Sequence, residues 1–253
     1  MIKYDISHAC LILILDKCAA FSRIVGGEPT SIQRYSFVAN LQNHFFSQIW
    51  LQACGGSLIT SRTVLTAAHC FHYSPTTISW RIQLGSSNRE FGGSHHTVYR
   101  AILHPSFDNN GRYANLAIMR LGTPAQVGGP WPISVANIAG PNYVVPDGTE
   151  VTTVGWGSLF VNVLHRVTIN IINQEVCAHQ YADIAHITPS MICAGFNLGG
   201  KGTCQGDSGG PLLHGDVVVG ITSWSEDCGH KLFPSVFTRV SMFSDWIFEN
   251  GSG

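Results

Sequence analysis

Residues 206–211 have the sequence Gly-Asp-Ser-Gly-Gly-Pro, and residues 66–70 have the sequence Thr-Ala-Ala-His-Cys. The first stretch places Ser208 in a turn whose glycines let backbone N–H groups point inward. The second places His69 at the end of a strand, beside a cysteine. A serine hydroxyl is a weak nucleophile unless a base takes its proton, so a serine and a histidine are a candidate catalytic pair. Each stretch alone is more often structural, because most histidines and most glycine-rich turns have no catalytic role.

A third stretch favours the catalytic interpretation. Residues 24–27 have the sequence Ile-Val-Gly-Gly and follow Arg23, a basic residue suited to a processing cut. Chance poorly explains all three stretches in this order and at these separations. From Ile24 to its end, the chain resembles the chymotrypsin family of serine proteases. Shorter stretches that agree with this family are residues 155–157 (GWG), 191–195 (MICAG) and 223–224 (SW).

The pattern of residues after position 23 predicts an all-β fold, because short β-rich runs alternate with Gly, Pro, Asn and Ser. Residues 57–67 are predicted as one strand, and residues 240–249 as the one helix, because their apolar side chains fall on one face. The resemblance implies two antiparallel six-stranded β-barrels with a C-terminal α-helix, and an active site in the cleft between the barrels. We predict that residues 24–130 form the N-terminal barrel and residues 131–253 the C-terminal barrel.

The composition of the 253 residues is that of a globular protein. It is 45% hydrophobic and 11% charged, with 27 glycines and a formal net charge of −1. These values exclude the basic surface of a nucleic-acid-binding protein and the charge density of a disordered chain. No stretch approaches the roughly 20 apolar residues of a membrane-spanning helix. We therefore expect neither a nucleic-acid partner nor a membrane span.

The first 23 residues are predicted to be a signal peptide and a short activation peptide. Residues 9–15 (ACLILIL) are apolar, and residues 18–20 (CAA) have the small side chains that signal peptidase prefers. Asp5 offsets Lys3 in the leader, which leaves a cytosolic protein as the alternative. Removing the leader leaves six cysteines, an even number suited to an oxidising compartment. We therefore expect a secreted, extracellular protein.

The resemblance also implies catalytic roles. Ser208 would attack the substrate, and His69 would act first as the base and then as the acid. The backbone N–H groups of Gly206 and Ser208 would stabilise the oxyanion. Six cysteines allow 15 connectivities, so the pairing rests on the resemblance alone. The implied pairs are Cys54–Cys70, Cys177–Cys193 and Cys204–Cys228.

Activation as a zymogen is a further expectation from the resemblance. Cleavage after Arg23 would free the amine of Ile24. That amine would then pair with the carboxylate of Asp207, beside the nucleophile.

The third member of the triad departs from the family pattern. The family has an aspartate followed by an apolar strand, whereas residues 115–121 have the sequence NLAIMRL. The resemblance therefore puts Asn115 at the position of the catalytic aspartate. Asp108, the nearest acid, could substitute only if its loop folded inward. Ser223, which would hold the third member in place, is retained.

The predicted specificity pocket also departs from that of trypsin, because Gly202 stands where trypsin-like members carry an acid. A buried lysine or arginine would lack a counter-charge there, which is costly. Ser225 and Ser235 map to the pocket walls and should narrow it. These features favour small or medium uncharged side chains before the cleaved bond, and Glu226 and Asp227 near the mouth leave basic side chains as the alternative. The remaining residues assigned to substrate binding are Thr203, Ser223 and Trp224.

No cofactor or metal is predicted, since His95 and His96 lack a third ligand at a familiar spacing and are interpreted as part of a solvated loop. We expect a monomer whose partners are a protein or peptide substrate, an activating protease and protein inhibitors.

Two functions remain open. One is a serine endopeptidase zymogen with impaired or conditional activity. The other is a catalytically inactive homologue that acts as a binding module.

Overall fold

The computed structural model describes residues 24–44, 49–72, 76–108, 110–157 and 162–252. The predicted signal and activation peptide, with Arg23, lies outside them. The helices are α1 (His69–His72), α2 (Gln174–Gln180) and α3 (Ser244–Gly251), and single 3₁₀ turns span Thr77–Ser79 and Val240–Met242. The strands are β1 (Glu28–Pro29), β2 (Val38–Asn43), β3 (Leu51–Thr60), β4 (Thr63–Thr66), β5 (Trp80–Leu84), β6 (Ser94–Leu103), β7 (Ala117–Leu121), β8 (Asn137–Ile138), β9 (Glu150–Gly155), β10 (His165–Ile172), β11 (Met191–Gly195), β12 (Pro211–His214), β13 (Val217–Trp224) and β14 (Ser235–Arg239). Among the residues described, no helix has the length and apolar character needed to cross a lipid bilayer.

The strands form two closed six-stranded antiparallel barrels, as predicted. The first barrel has the order β2-β3-β4-β7-β6-β5. The second has the order β9-β10-β11-β14-β13-β12, and pairing of β9 with β12 and with β10 closes it. Strand β10 shows why these segments form barrel walls. Its residues alternate strictly between buried and partly exposed, as expected for a strand with one face on a core.

The barrels pack against each other through a shared apolar core. Leu65 and Ile118, from β4 and β7 of the first barrel, belong to the same buried cluster as Val154 and Leu212 of the second. Ile24, at the start of the described chain, is fully buried in this cluster. The segments that follow β4 and precede β7 therefore lie where the two barrels meet.

The C-terminal helix α3 is tied to the first barrel by Arg120, a buried residue of β7. Its guanidinium donates hydrogen bonds to the backbone oxygens of Asn250 (2.6 Å) and Gly251 (3.2 Å). These carbonyls end the helix and lack intrahelical partners, so a cation there is favourable.

Three local predictions were wrong. Residues 57–67 are not one strand, because the chain turns at residues 61–62 and Thr60 pairs with Thr63 across the turn. The terminal helix is not the only one, since α2 begins after Asn173, whose side chain accepts hydrogen bonds from the N–H groups of Glu175 and Val176. His95 and His96 are not in a loop. They extend β6, where they pair with Gln83 and Ile82 of β5.

Candidate active site

Ser208 lies in the turn between β11 and β12. Its carbonyl accepts a hydrogen bond from the N–H of Gly55 (2.7 Å), which fixes this turn to the first barrel. The next residue, Gly209, has a φ of +80°, and a Cβ there would lie 2.2 Å from Thr66 Oγ1 and 2.9 Å from the nitrogen of Ala67. Glycine is therefore required for this contact. The serine turn packs directly on the segment that leads into His69.

Asn115, just before β7, is fully buried and holds His69 at two points. Its Oδ1 accepts a hydrogen bond from the backbone N–H of His69 (2.9 Å). Its Nδ2 lies 2.7 Å from His69 Nδ1 and also donates to Ser223 Oγ (2.7 Å). The backbone oxygen of Asn115 accepts a hydrogen bond from Thr238 Oγ1 (2.9 Å), which ties the residue to β14.

The backbone N–H of His69 determines which way the Asn115 amide points. An N–H can only donate, so the side-chain atom facing it must be the oxygen. The NH₂ group then faces the imidazole, and Nδ1 must accept its hydrogen bond. Burial lowers the pKa of His69, which favours the neutral ring at pH 7. A neutral ring that accepts at Nδ1 carries its proton on Nε2.

Ser208 and His69 are not joined by a hydrogen bond among the residues described. The N–H groups of Gly206 and Ser208 likewise have no hydrogen-bond partner in that part of the chain. Gly206 itself is held through its carbonyl, which accepts a hydrogen bond from Gln52 Nε2 (2.6 Å).

The carboxylate of Asp108 stabilises the loop that contains it. Its Oδ1 accepts hydrogen bonds from the N–H groups of Arg112 (2.8 Å) and Tyr113 (2.9 Å), which closes the segment before Asn115. The loop ends at Ala114, which has a φ of 45°, a left-handed conformation that is strained for alanine. In the described residues, Asp108 makes no hydrogen bond to His69, so the inward folding that would let it replace Asn115 does not occur.

Asp207 is buried without a cationic partner among the described residues. Its oxygens accept hydrogen bonds from the N–H groups of Gly157 (2.9 Å) and Cys204 (3.0 Å). Burial nevertheless raises the pKa of Asp207 to about 7. Beside buried Ile24, Val25 exchanges backbone hydrogen bonds with Gly202 (3.0 and 3.1 Å). Within the part of the chain that the structure describes, no positive charge offsets the ionisation of the Asp207 carboxyl.

A cavity of about 210 Å³ opens beside Ser208. Gly202 and Ser235 do not line it. The hydroxyl of Ser235 instead accepts hydrogen bonds from the N–H (3.3 Å) and Oγ1 (2.9 Å) of Thr203, and it lies 3.3 Å from where a Cβ of Gly202 would be. The residues lining the cavity are Thr203, Cys204, Gln205, Ser208, Thr222, Ser223, Trp224, Ser225, Glu226, Asp227 and Cys228. The hydroxyl of Ser235 therefore holds the lining residue Thr203 from behind, and the carboxylates of Glu226 and Asp227 are among the groups that line the cavity.

Sequence reasoning missed Arg112. Its guanidinium carbon lies 4.8 Å from the ring centroid of Trp224, and its Nη1 donates a hydrogen bond to the carbonyl of Ile184 (3.2 Å). It therefore places a cation beside the cavity. Arg112 and Trp224 are far apart in sequence, so only the tertiary fold reveals the contact.

Three disulfides join Cys54–Cys70, Cys177–Cys193 and Cys204–Cys228, the same pairs that the resemblance implies. Cys54 and Cys70 also form, with His69, the one group of three potential metal ligands in the described chain. Both sulfurs are committed to the disulfide, so this group is not a cation site.

Comparison with known proteins agrees with this geometry. The trypsin family model matches residues 24–247. Trypsin, alkaline A of Manduca sexta is 40% identical over 235 residues, which cover 90% of this chain and 91% of that protein. Trypsin CFT-1 of Choristoneura fumiferana is 38% identical over 236 residues, with 90% and 91% covered. The vitellin-degrading protease of Bombyx mori is 36% identical over 234 residues, with 90% and 85% covered.

Proposed function

Because the chain belongs to the trypsin family of serine endopeptidases, we propose that it is a secreted zymogen of such an enzyme, with Asn115 at the position of the catalytic aspartate. The peptide bond of a protein substrate is then cleaved through an acyl-enzyme on Ser208. His69 takes the serine proton during attack and later returns it to the leaving amine.

The observation that carries this proposal is the 2.7 Å contact between Asn115 Nδ2 and His69 Nδ1. A base that receives the Ser208 proton needs a free lone pair on Nε2. With the NH₂ of Asn115 on Nδ1, the ring proton occupies Nε2 instead, and no carboxylate stabilises an imidazolium. Asparagine in place of the aspartate of such a triad lowers turnover by about 10⁴-fold while the geometry is kept. We therefore propose that activity at neutral pH is strongly impaired.

Activity is proposed to rise with pH, because hydroxide can replace the impaired base. The composition supports an alkaline setting. After residue 23 the chain has nine arginines but only two lysines, Lys201 and Lys231. Arginine keeps its charge above the lysine pKa of about 10.4. The Manduca sexta relatives are named alkaline trypsins, which agrees with this proposal.

Cleavage after Arg23 is proposed to activate the chain. The new ammonium of Ile24 would pair with Asp207, whose buried carboxyl otherwise has two N–H partners in the described part of the chain. A buried ion pair with additional hydrogen bonds would order the Gly206 turn. The mature protein should therefore begin Ile-Val-Gly-Gly.

The substrate preference is proposed to be for small or medium uncharged residues before the cleaved bond. Gly202 stands where trypsin-like members carry an acid, and the Ser235 hydroxyl, hydrogen-bonded to Thr203, lies 3.3 Å from where a Cβ of Gly202 would be. Glu226 and Asp227 in the walls support the alternative of basic side chains, but charges near solvent are heavily screened.

A second candidate function is a binding module without catalysis, which Asn115 favours. Titration with a serine-reactive phosphonate, before and after cleavage at Arg23, distinguishes the two. The enzyme proposal expects slow labelling of Ser208 in the cleaved chain and fast labelling in Asn115→Asp, with Ser208→Ala as the unlabelled control. If neither cleaved chain is labelled, the binding module is favoured.

A further inference from the structure

A recess of about 330 Å³ lies on the first barrel, where β5 and β6 run side by side. It shares no lining residue with the cavity beside Ser208. Small-molecule sites begin at about 300 Å³ and are mostly apolar, with a few placed polar groups. This recess therefore has the size of a ligand site and is separate from the cavity beside Ser208.

The walls of the recess are largely aromatic and aliphatic. Trp80 and Val98 are almost fully buried and line it from β5 and β6, and Trp50 lines it from the segment before β3. Ile78, on the 3₁₀ turn before β5, is 84% exposed. An isoleucine this exposed, beside two tryptophans, offers apolar area that a ligand could cover.

One side chain gives the recess a fixed positive charge. Arg81 Nε donates a hydrogen bond to Gln42 Oε1 (2.6 Å). Gln42 is itself buried, and its Nε2 donates to the carbonyl of Arg89 (2.6 Å). The guanidinium carbon of Arg81 lies 4.7 Å from the ring centroid of Trp50. A buried amide and an aromatic face thus hold this cation in place, and its terminal nitrogens have no hydrogen-bond partner among the described residues.

Among the described residues, no carboxylate pairs with Arg81. The ion pair in the described residues joins Arg166 to Glu28, and Arg81 makes none. The other titratable groups lining the recess, His95 and His96, are also basic. His96 is occupied, since its ring contacts Ser94 Oγ and the backbone oxygen of Thr123. Burial and the nearby Arg81 lower the pKa of His95. A partly desolvated cation without a counter-ion is unfavourable, and a bound anion would offset that cost.

We propose that this recess binds a small amphipathic carboxylic acid. Its carboxylate pairs with the two terminal nitrogens of Arg81, a geometry suited to a bidentate contact. Its hydrocarbon part lies against Trp50 and Ile78. The inference is independent of the proposed protease function, because no residue of the recess belongs to the catalytic site.

Decanoate and decanamide, which share a hydrocarbon chain and differ in charge, test the proposal by calorimetry and tryptophan fluorescence. The full, disulfide-bonded chain is used, with Ser208→Ala to prevent proteolysis. We expect one saturable decanoate site and at least about tenfold weaker binding of decanamide, since a charge-assisted pair is lost. Arg81→Gln should weaken decanoate binding by a similar factor. Arg34→Gln is the matched control, because Arg34 also stacks on an aromatic ring (Tyr35, 5.7 Å) but is exposed and outside the recess.

Absence of saturable decanoate binding would overturn the proposal, and so would equal affinity for decanamide. Arg81→Lys is a control for loss of structure in Arg81→Gln. It keeps the positive charge but loses the planar guanidinium that can make a bidentate contact. Decanoate affinity in this variant should fall between those of the parent and Arg81→Gln. Decanoate affinity unchanged in both Arg81 variants would place the ligand elsewhere and refute the assignment.

Discussion

Asn115 contacts the backbone and the ring of His69 at once, with Oδ1 2.9 Å from the backbone nitrogen and Nδ2 2.7 Å from Nδ1. The two contacts are coupled, because an amide that accepts from the backbone must donate to the ring. A carboxylate here would accept at both points. With the nitrogen of Asn115, the imidazole already carries its proton on Nε2. With an oxygen in place of that nitrogen, Nε2 would be free to take a proton.

Replacement of Asn115 by aspartate should raise turnover at pH 7 by about 10⁴-fold in the cleaved chain. The carboxylate would accept a hydrogen bond from His69 Nδ1, and Ser223 Oγ, which now accepts from Nδ2, can turn its hydroxyl to donate. The measurement is kcat on a peptide substrate, with Ser208→Ala as the control for contaminating protease. Equal kcat of the parent and Asn115→Asp would refute the assignment of Asn115.

The stability of the uncleaved chain should fall as pH rises from about 4 to above 7. The pKa of Asp207 is about 7 in the folded chain and about 3.9 when unfolded. The unfolded state therefore loses its proton first, so the stabilisation is complete below pH ~4 and is lost through pH ~7. Other groups also titrate, so the comparison is the difference in Tm between Ser208→Ala and Ser208→Ala/Asp207→Asn.

The Tm of the chain with Asp207 should fall relative to that of the Asp207→Asn variant over this pH range. After cleavage at Arg23, the order of the two Tm values near pH 7 should be reversed. The chain with Asp207→Asn should then have the lower Tm. A difference in Tm that does not change with pH in the uncleaved chain would contradict the buried, unpaired carboxyl.

Substitution of Ser235 by glycine should widen the cavity beside Ser208, because it removes the hydroxyl that holds the lining residue Thr203. Loss of the Ser235 hydroxyl frees space above Gly202, so larger uncharged side chains should be accepted before the cleaved bond. The measurement is kcat/KM across a peptide library in the Asn115→Asp background, where turnover is fast enough to compare substrates. Preferential cleavage after arginine by the Ser235-containing parent would show that Glu226 and Asp227 dominate instead.

Substitution of Gly209 by alanine should abolish phosphonate labelling and cost more than about 1 kcal/mol of stability. The added Cβ would lie 2.2 Å from Thr66 Oγ1 and 2.5 Å from the backbone oxygen of Gly55. Gly215→Ala is the matched control. Gly215 also has a positive φ (63°), but nothing lies within 4 Å of its Cβ position. It should lose about 1 kcal/mol at most and label normally; equal effects of the two substitutions would contradict the steric argument.

The two-barrel fold was predictable because the family resemblance covers the chain from Ile24 and because short β-rich runs alternate with turn residues. In strand β10, for example, buried and partly exposed residues alternate. Local boundaries were less predictable. The turn at residues 61–62 contains no glycine or proline, so the sequence suggested one strand across it. The helix after Asn173 has only seven residues, too few to show a clear apolar period, and the side chain of Asn173 caps it.

The site was predictable only as a set of residue types. Asn115 was identified from the strand that follows it, but the sequence left the direction of its amide open. The backbone N–H of His69 decides that direction, and its position depends on the pairing of β4 with β7 in the first barrel. The contact of Arg112 with Trp224 and the place of His95 in a recess likewise depend on tertiary structure.

The ¹⁵N spectrum of the His69 imidazole tests the central claim most directly. In the cleaved chain, between about pH 7 and about pH 9, the ring should be neutral with its proton on Nε2 and a lone pair on Nδ1. In Asn115→Asp, the neutral ring should carry its proton on Nδ1, and the pKa of His69 should be higher because a carboxylate favours the imidazolium. A parent spectrum with the proton on Nδ1 and Nε2 unprotonated would contradict the account.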